Sequence, residues 1–76
     1  MRKKTPEFSR RQWERLIDDW IFSERDRRIL KRRLFDGIVY ERLAEESDLS
    51  VRQTKTIVYK CMDRLTKHID RMKDLY

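Results

Sequence analysis

The chain has almost nothing with which to break a helix: one glycine, Gly37, and one proline, Pro6, in 76 residues. So few turn formers speak against a fold built on hairpins. Cys61 is alone, which excludes an internal disulfide. His68 is the only histidine, which leaves too few ligands for a Cys/His zinc site. No apolar run approaches the ~20 residues of a membrane span, and no signal peptide precedes the fold. An unpaired cysteine also fits a reducing compartment, so a cytoplasmic protein is expected. A chain this short has little room for a pocket with walls and a lid. Neither an enzyme, a cofactor nor a small-molecule substrate is expected. Small domains usually gain stability from disulfides, metals or association. Here association or a well-packed helical bundle remains.

What the chain does have is charge. Asp, Glu, Lys and Arg make up 45% of it, and the net charge of +6 is spread along the sequence rather than gathered in a tail. Such a balance suits a polyanionic partner through neutralised phosphates and released counterions. It suits a solvated, arginine-rich helical surface equally well.

Three short stretches mark helix starts: FSRRQ at Phe8, FSERD at Phe22 and LSVRQ at Leu49. Each places an apolar residue before a serine, with an acid or glutamine three positions later. In this capping box the serine oxygen accepts from an orphan backbone N–H, and the later side chain reaches back. The first copy is the most complete, because Trp13 stands where a hydrophobic staple would meet Phe8.

The expected architecture is all-α: a four-helix domain containing a helix-turn-helix, with an extended C-terminal helix packing on the N-terminal helix. Residues 1–76 form one domain. Residues 1–6 read as a basic disordered arm and 9–22 as the N-terminal helix. Residues 23–66 hold the helix-turn-helix region, and 67–76 extend the last helix. Trp13, Leu16, Ile17 and Trp20 share one face of the first helix. The second carries Ile29, Leu30, Leu34 and Phe35 inward and stops at Gly37. A third covers about Tyr40 to Ser47, burying Leu43 and Ala44. Its cap position is Val39, which has no side-chain acceptor. The fourth starts after Ser50.

Helical spacing then sorts the fourth helix into two faces. Ile57, Val58 and Cys61 point one way, and Val51, Arg52, Lys55, Thr56 and Tyr59 the other. The second set is polar and cationic, with one aromatic and no acid. A water-facing helix usually mixes both signs, so this face is better suited to a groove of DNA.

The stretch ERDRRILKRRLFDGIVYERLAEESDLSVRQTKTIVYKCMDRL resembles the promoter-reading fourth region of bacterial sigma factors. The matching elements are an ER-rich helix ending in DG, then ERLAEE, DLS, a basic helix and a closing KCMDRL. The resemblance implies that the helix starting at the DLS turn, about residues 51–62, enters the major groove. It also implies RNA polymerase as a partner. The domain that melts promoters has no counterpart in this chain. The expected role is therefore a free-standing, nucleoid-associated transcription regulator, of the sort found on phages and mobile elements. A partner-binding adaptor with weak or no sequence-specific DNA binding is the alternative.

The sequence departs from common helix-turn-helix patterns at three places, although sigma-like domains often share the first. Asp48 stands where many helix-turn-helix proteins have glycine. Thr54 fills an inward position usually held by valine or isoleucine. Val51, Arg52 and Thr56 replace the usual arginine, glutamate and glutamine, so the docking mode transfers but the target sequence does not.

Chemistry makes Arg52 and Lys55 the candidates for guanine O6 and N7. Thr56 suits a base edge or a thymine methyl, and Val51 and Tyr59 complete the reading face. Gln53 is divided between capping its own helix and an adenine contact, with the cap favoured. Tyr40 and Arg42 begin the supporting helix, where the fold meets phosphates. Ser50, Lys31, Arg32, Arg33 and Lys60 extend that phosphate set, which positions without specifying.

The last helix carries Val58, Met62, Leu65, Ile69, Met72 and Tyr76 at spacings of 4, 3, 4, 3 and 4. That is the period of a coiled-coil seam. It fits packing on the first helix within one chain. It also fits a homodimer seam, which would set two reading helices on a two-fold related site. Cys61 reads as a small core residue.

Overall fold

The computed structural model describes residues 8–74, with side chains through Ile69. The expected basic arm at 1–6, the Met72 side chain and Tyr76 lie outside the described residues. Four helices follow one another: α1 Arg10–Trp20, α2 Glu24–Phe35, α3 Tyr40–Ser47 and α4 Val51–Asp74. No strand occurs among the described residues.

The helix starts follow the local chemistry. At α1 the Gln12 N–H donates to Ser9 Oγ at 3.2 Å, and the Ser9 N–H donates to Gln12 Oε1 at 2.8 Å. Phe8 and Trp13 close the staple with ring centroids 5.3 Å apart. The box at α2 is only half made. The Asp26 N–H donates to Ser23 Oγ at 3.3 Å, but the residue placed to meet Phe22 in a staple is Arg27. At α4 both halves form, each at 3.0 Å, between Ser50 and Gln53. Val39 caps α3 with its backbone alone.

The stops are equally local. α2 ends at Asp36, and Gly37 follows at φ 63, where the missing Cβ removes the steric cost. α3 ends at Asp48, at φ 55 and ψ 44, with the Leu49 N–H reaching back to the Ala44 carbonyl at 2.9 Å. That bond completes a Schellman-type end and lets α4 leave in a new direction.

α4 is the element on which α1, α2 and α3 all pack, while α1 and α3 do not touch. Ile17, Ile21, Ile29, Leu30, Val58, Cys61 and Leu65 form the core cluster. Leu43 and Ala44 are buried beneath α3. Each large apolar side chain contributes about 1.5–3 kcal/mol through burial, which a domain of this size cannot spare.

Two expectations change here, and the seam positions find a place. Leu34, read as inward, is 38% exposed. Arg33 lies four positions after Ile29 and three after Leu30, in the middle of the buried stripe, and this leaves Leu34 at its edge. Trp20 is also 38% exposed; its ring lies against His68 of α4 with centroids 3.8 Å apart. The seam positions Leu65 and Ile69 are 0% and 6% exposed within the single chain. Within the single chain they contribute to its own core. Met62 is partly buried against the same cluster.

Candidate nucleic-acid interface

The first three turns of α4 carry the candidate face, and its register is set from the opposite side. Thr54 and Val58 are 0% and 4% exposed, and Ile57 packs against the core. With those positions held inward, Arg52, Lys55, Thr56, Tyr59 and Lys60 are exposed and Val51 is half-buried. None of Arg52, Lys55 and Lys60 is ion-paired among the described residues.

Two of these polar side chains are partly committed. The Gln53 carbonyl oxygen accepts the Ser50 N–H at 3.0 Å, so only its amide NH₂ is free. A bidentate adenine contact needs both ends and would require the cap to open. The Thr56 hydroxyl donates to the Arg52 carbonyl at 3.0 Å. Its methyl and its oxygen lone pairs remain available.

Beside this face, α2, α3 and α4 converge on one ring. The Arg33 guanidinium carbon lies 4.4 Å from the Tyr40 centroid and the Lys55 ammonium 5.6 Å from it. Tyr59 meets Tyr40 edge-on at 6.4 Å and 74°. Arg33 is anchored by a 3.1 Å bond from Nη1 to the Ile38 carbonyl. Two cations thus lie against one aromatic ring, with Tyr59 in edge contact with it, and α4 is tied to the start of α3. Sequence reading named all four residues but not their meeting, which depends on how the helices cross.

Two other cations of the phosphate set lie elsewhere. Lys31 Nζ pairs with Asp18 of α1 at 2.7 Å. Arg32 forks onto Glu46 of α3, at 2.6 and 3.2 Å, and also reaches Asp36 at 3.3 Å. These ion pairs tie α2 to α1 and to α3 through two residues of the expected phosphate set. Their partners on other helices, Asp18 and Glu46, are 13 and 14 positions away in the chain, beyond any local pattern. The Arg32 hydrogen bond holds the Glu46 carboxyl below its ordinary value. Arg42 makes a looser pair with Glu46 at 3.6 Å and is 69% exposed, so it remains reachable. Burial pushes the Cys61 thiol up, as expected of a core cysteine.

No protein-family model matches the chain, and no curated protein or solved structure matches it. No helix among the described residues is long and apolar enough to cross a membrane.

Proposed function

We propose that this domain binds double-stranded DNA in a sequence-specific manner, as a helix-turn-helix transcription regulator of the sigma region-four type acting at the nucleoid. One observation carries the reading. The outward face of α4 from Arg52 to Lys60 exposes three cations, a threonine and a tyrosine, with no acid among them. Elsewhere, Lys31, Arg32 and Arg42 are drawn into ion pairs.

In this reading α4 enters the major groove by its N-terminal half. Arg52 and Lys55 address guanine, and Thr56 offers its methyl to thymine. Gln53 serves as the cap that holds the helix start. Arg33, Tyr40, Arg42, Ser50 and Lys60 contact phosphates and fix the register. The positive end of the α4 dipole, at Ser50, adds to the attraction for a phosphate. Because Leu65 and Ile69 are used within one chain, the domain reads a single, asymmetric site. The sigma resemblance adds RNA polymerase as a second macromolecular partner.

Selection from random duplex DNA, with and without RNA polymerase, tests this. An asymmetric motif enriched by the protein alone supports the proposal. Enrichment only with polymerase replaces it with the adaptor role. Salt-sensitive binding without any motif leaves a nonspecific nucleic-acid binder and rejects the sequence-specific claim.

A further inference from the structure

A second surface adjoins the α4 reading face and shares Lys60 with it, where the α1–α2 connection meets the later turns of α4. Trp20, Phe22, Lys60, Arg64, Lys67 and His68 line an open groove there of about 630 Å³, together with Asp63. We propose that this groove docks an acidic protein segment that carries apolar side chains.

Phe22 is the first reason. It is 73% exposed, while its neighbour Ile21 is 3% exposed. Ile21 is extended, at φ −106 and ψ 108, so consecutive side chains point to opposite sides. An apolar residue before a capping serine normally packs on the first turn of its helix. At α2 the partner position holds Arg27, whose Nη1 instead donates to the Ile21 carbonyl at 2.8 Å and the Phe22 carbonyl at 3.3 Å. The Phe22 ring therefore has no staple to make and stands at the groove's edge.

Rigidity is the second. Arg27 holds the connection from one side, and from the other Arg64 Nη1 donates to the Trp20 carbonyl at 3.4 Å. The Trp20 ring is backed by His68. An apolar ligand would meet a preformed edge, with little ordering left to do on binding.

Charge selects the occupant. Lys60, Arg64 and Lys67 border the groove, and the one acid among the described residues lining it, Asp63, is already paired with Lys67 at 3.1 Å. The Arg64 guanidinium carbon also lies 5.9 Å from the Phe22 centroid, so the apolar and cationic features are adjacent. Such a mixture matches carboxylates alternating with apolar side chains. DNA suits it less well, because phosphates need the cations but not Phe22, and Trp20 is already stacked.

The test uses the two tryptophans as an internal control. Three synthetic peptides are titrated into ¹⁵N-labelled full-length protein: an acidic amphipathic helix with Leu and Phe on one face, its Gln/Asn isostere, and an acidic version with Ser in place of the apolar residues. Only the first is expected to move the Trp20 indole N–H signal, leaving that of Trp13 in place. Phe22→Ala and Arg64→Gln, one removing the ring and the other the charge, should each weaken it about tenfold. Phe22→Ala should leave duplex DNA affinity unchanged. No response to the acidic amphipathic peptide, equal binding of the neutral isostere, or indifference to both substitutions overturns the proposal. So does a Trp20 shift driven by duplex DNA, or by protein concentration alone, since the groove would then serve nucleic acid or a second copy.

Discussion

Thr54, fully buried, donates its hydroxyl to the Ser50 carbonyl oxygen at 2.9 Å. The same carbonyl also receives the Thr54 N–H, at 3.0 Å. A polar side chain thereby sits in the inner face of α4 with no unmet hydrogen bond. Its hydroxyl, however, adds only a second bond to an acceptor that already has one.

Thr54→Val should therefore be close to neutral. It removes a hydrogen bond of about 1 kcal/mol net and adds a buried methyl of about 0.8 kcal/mol, leaving stability within ~0.5 kcal/mol of wild type. Thr54→Ala loses contacts as well and should cost about 1–2 kcal/mol. Urea denaturation of both variants decides the matter. A Val variant destabilised by more than ~1.5 kcal/mol would mean that the hydroxyl itself holds α4 in place.

Asp48 makes the turn between α3 and α4 at φ 55, in the left-handed region that costs most L-residues ~1–2 kcal/mol. Aspartate tolerates it better than bulkier types, and valine worst. Asp48→Gly should match or slightly exceed wild-type stability, whereas Asp48→Val should lose about 2 kcal/mol. If thermal melts rank the two variants together, the left-handed turn does not govern the junction.

The Arg32–Glu46 pair joins α2 to α3 and makes stability depend on acid. Its hydrogen bond lowers the Glu46 carboxyl from its ordinary value of 4.5. A depressed folded-state value stabilises above the unfolded value, and that stability is lost as pH falls through the folded one. Wild type should thus exceed Glu46→Gln by a constant margin at neutral pH. The margin should narrow progressively below pH 4.5. High salt should also shrink it, since the pair lies at the surface. A margin that does not change with pH would assign the effect of the substitution to packing.

Where signals were local, the sequence was legible. Ser9, Ser50 and Gly37 announced helix ends because a cap is settled within four residues. The outward turn of Arg52 followed from helical period, and the inward turn of Thr54 from the sigma-like pattern. Period failed where one pattern serves two structures. Leu65 and Ile69 carry the same spacing in a coiled-coil seam as in a monomer core, and only the packing of α1 against α4 shows them in the core of the single chain. The pairing of Lys31 with Asp18 and of Arg32 with Glu46 was not legible, because those acids come near only when the helices cross. Phe22 read as a cap element because its exposure depends on which way the connection turns.

On the proposed DNA-binding reading, the α4 face divides residues that would specify from residues that would hold. Arg52 is exposed, without an ion pair among the described residues, and two positions past the cap at Ser50. From there its guanidinium can reach the floor of a major groove, where two N–H groups match guanine O6 and N7. Lys60 is two turns further along the helix; there its ammonium is suited to a phosphate. On a selected binding site, Arg52→Ala should cost about 1–3 kcal/mol, but much less on random duplex, so base preference relaxes. Lys60→Ala should weaken both duplexes alike and lower the slope of log K against log salt by about 0.9. Fluorescence anisotropy at several salt concentrations separates the two patterns. Equal losses on both duplexes for Arg52→Ala would remove it from the base-reading set and return it to the phosphates.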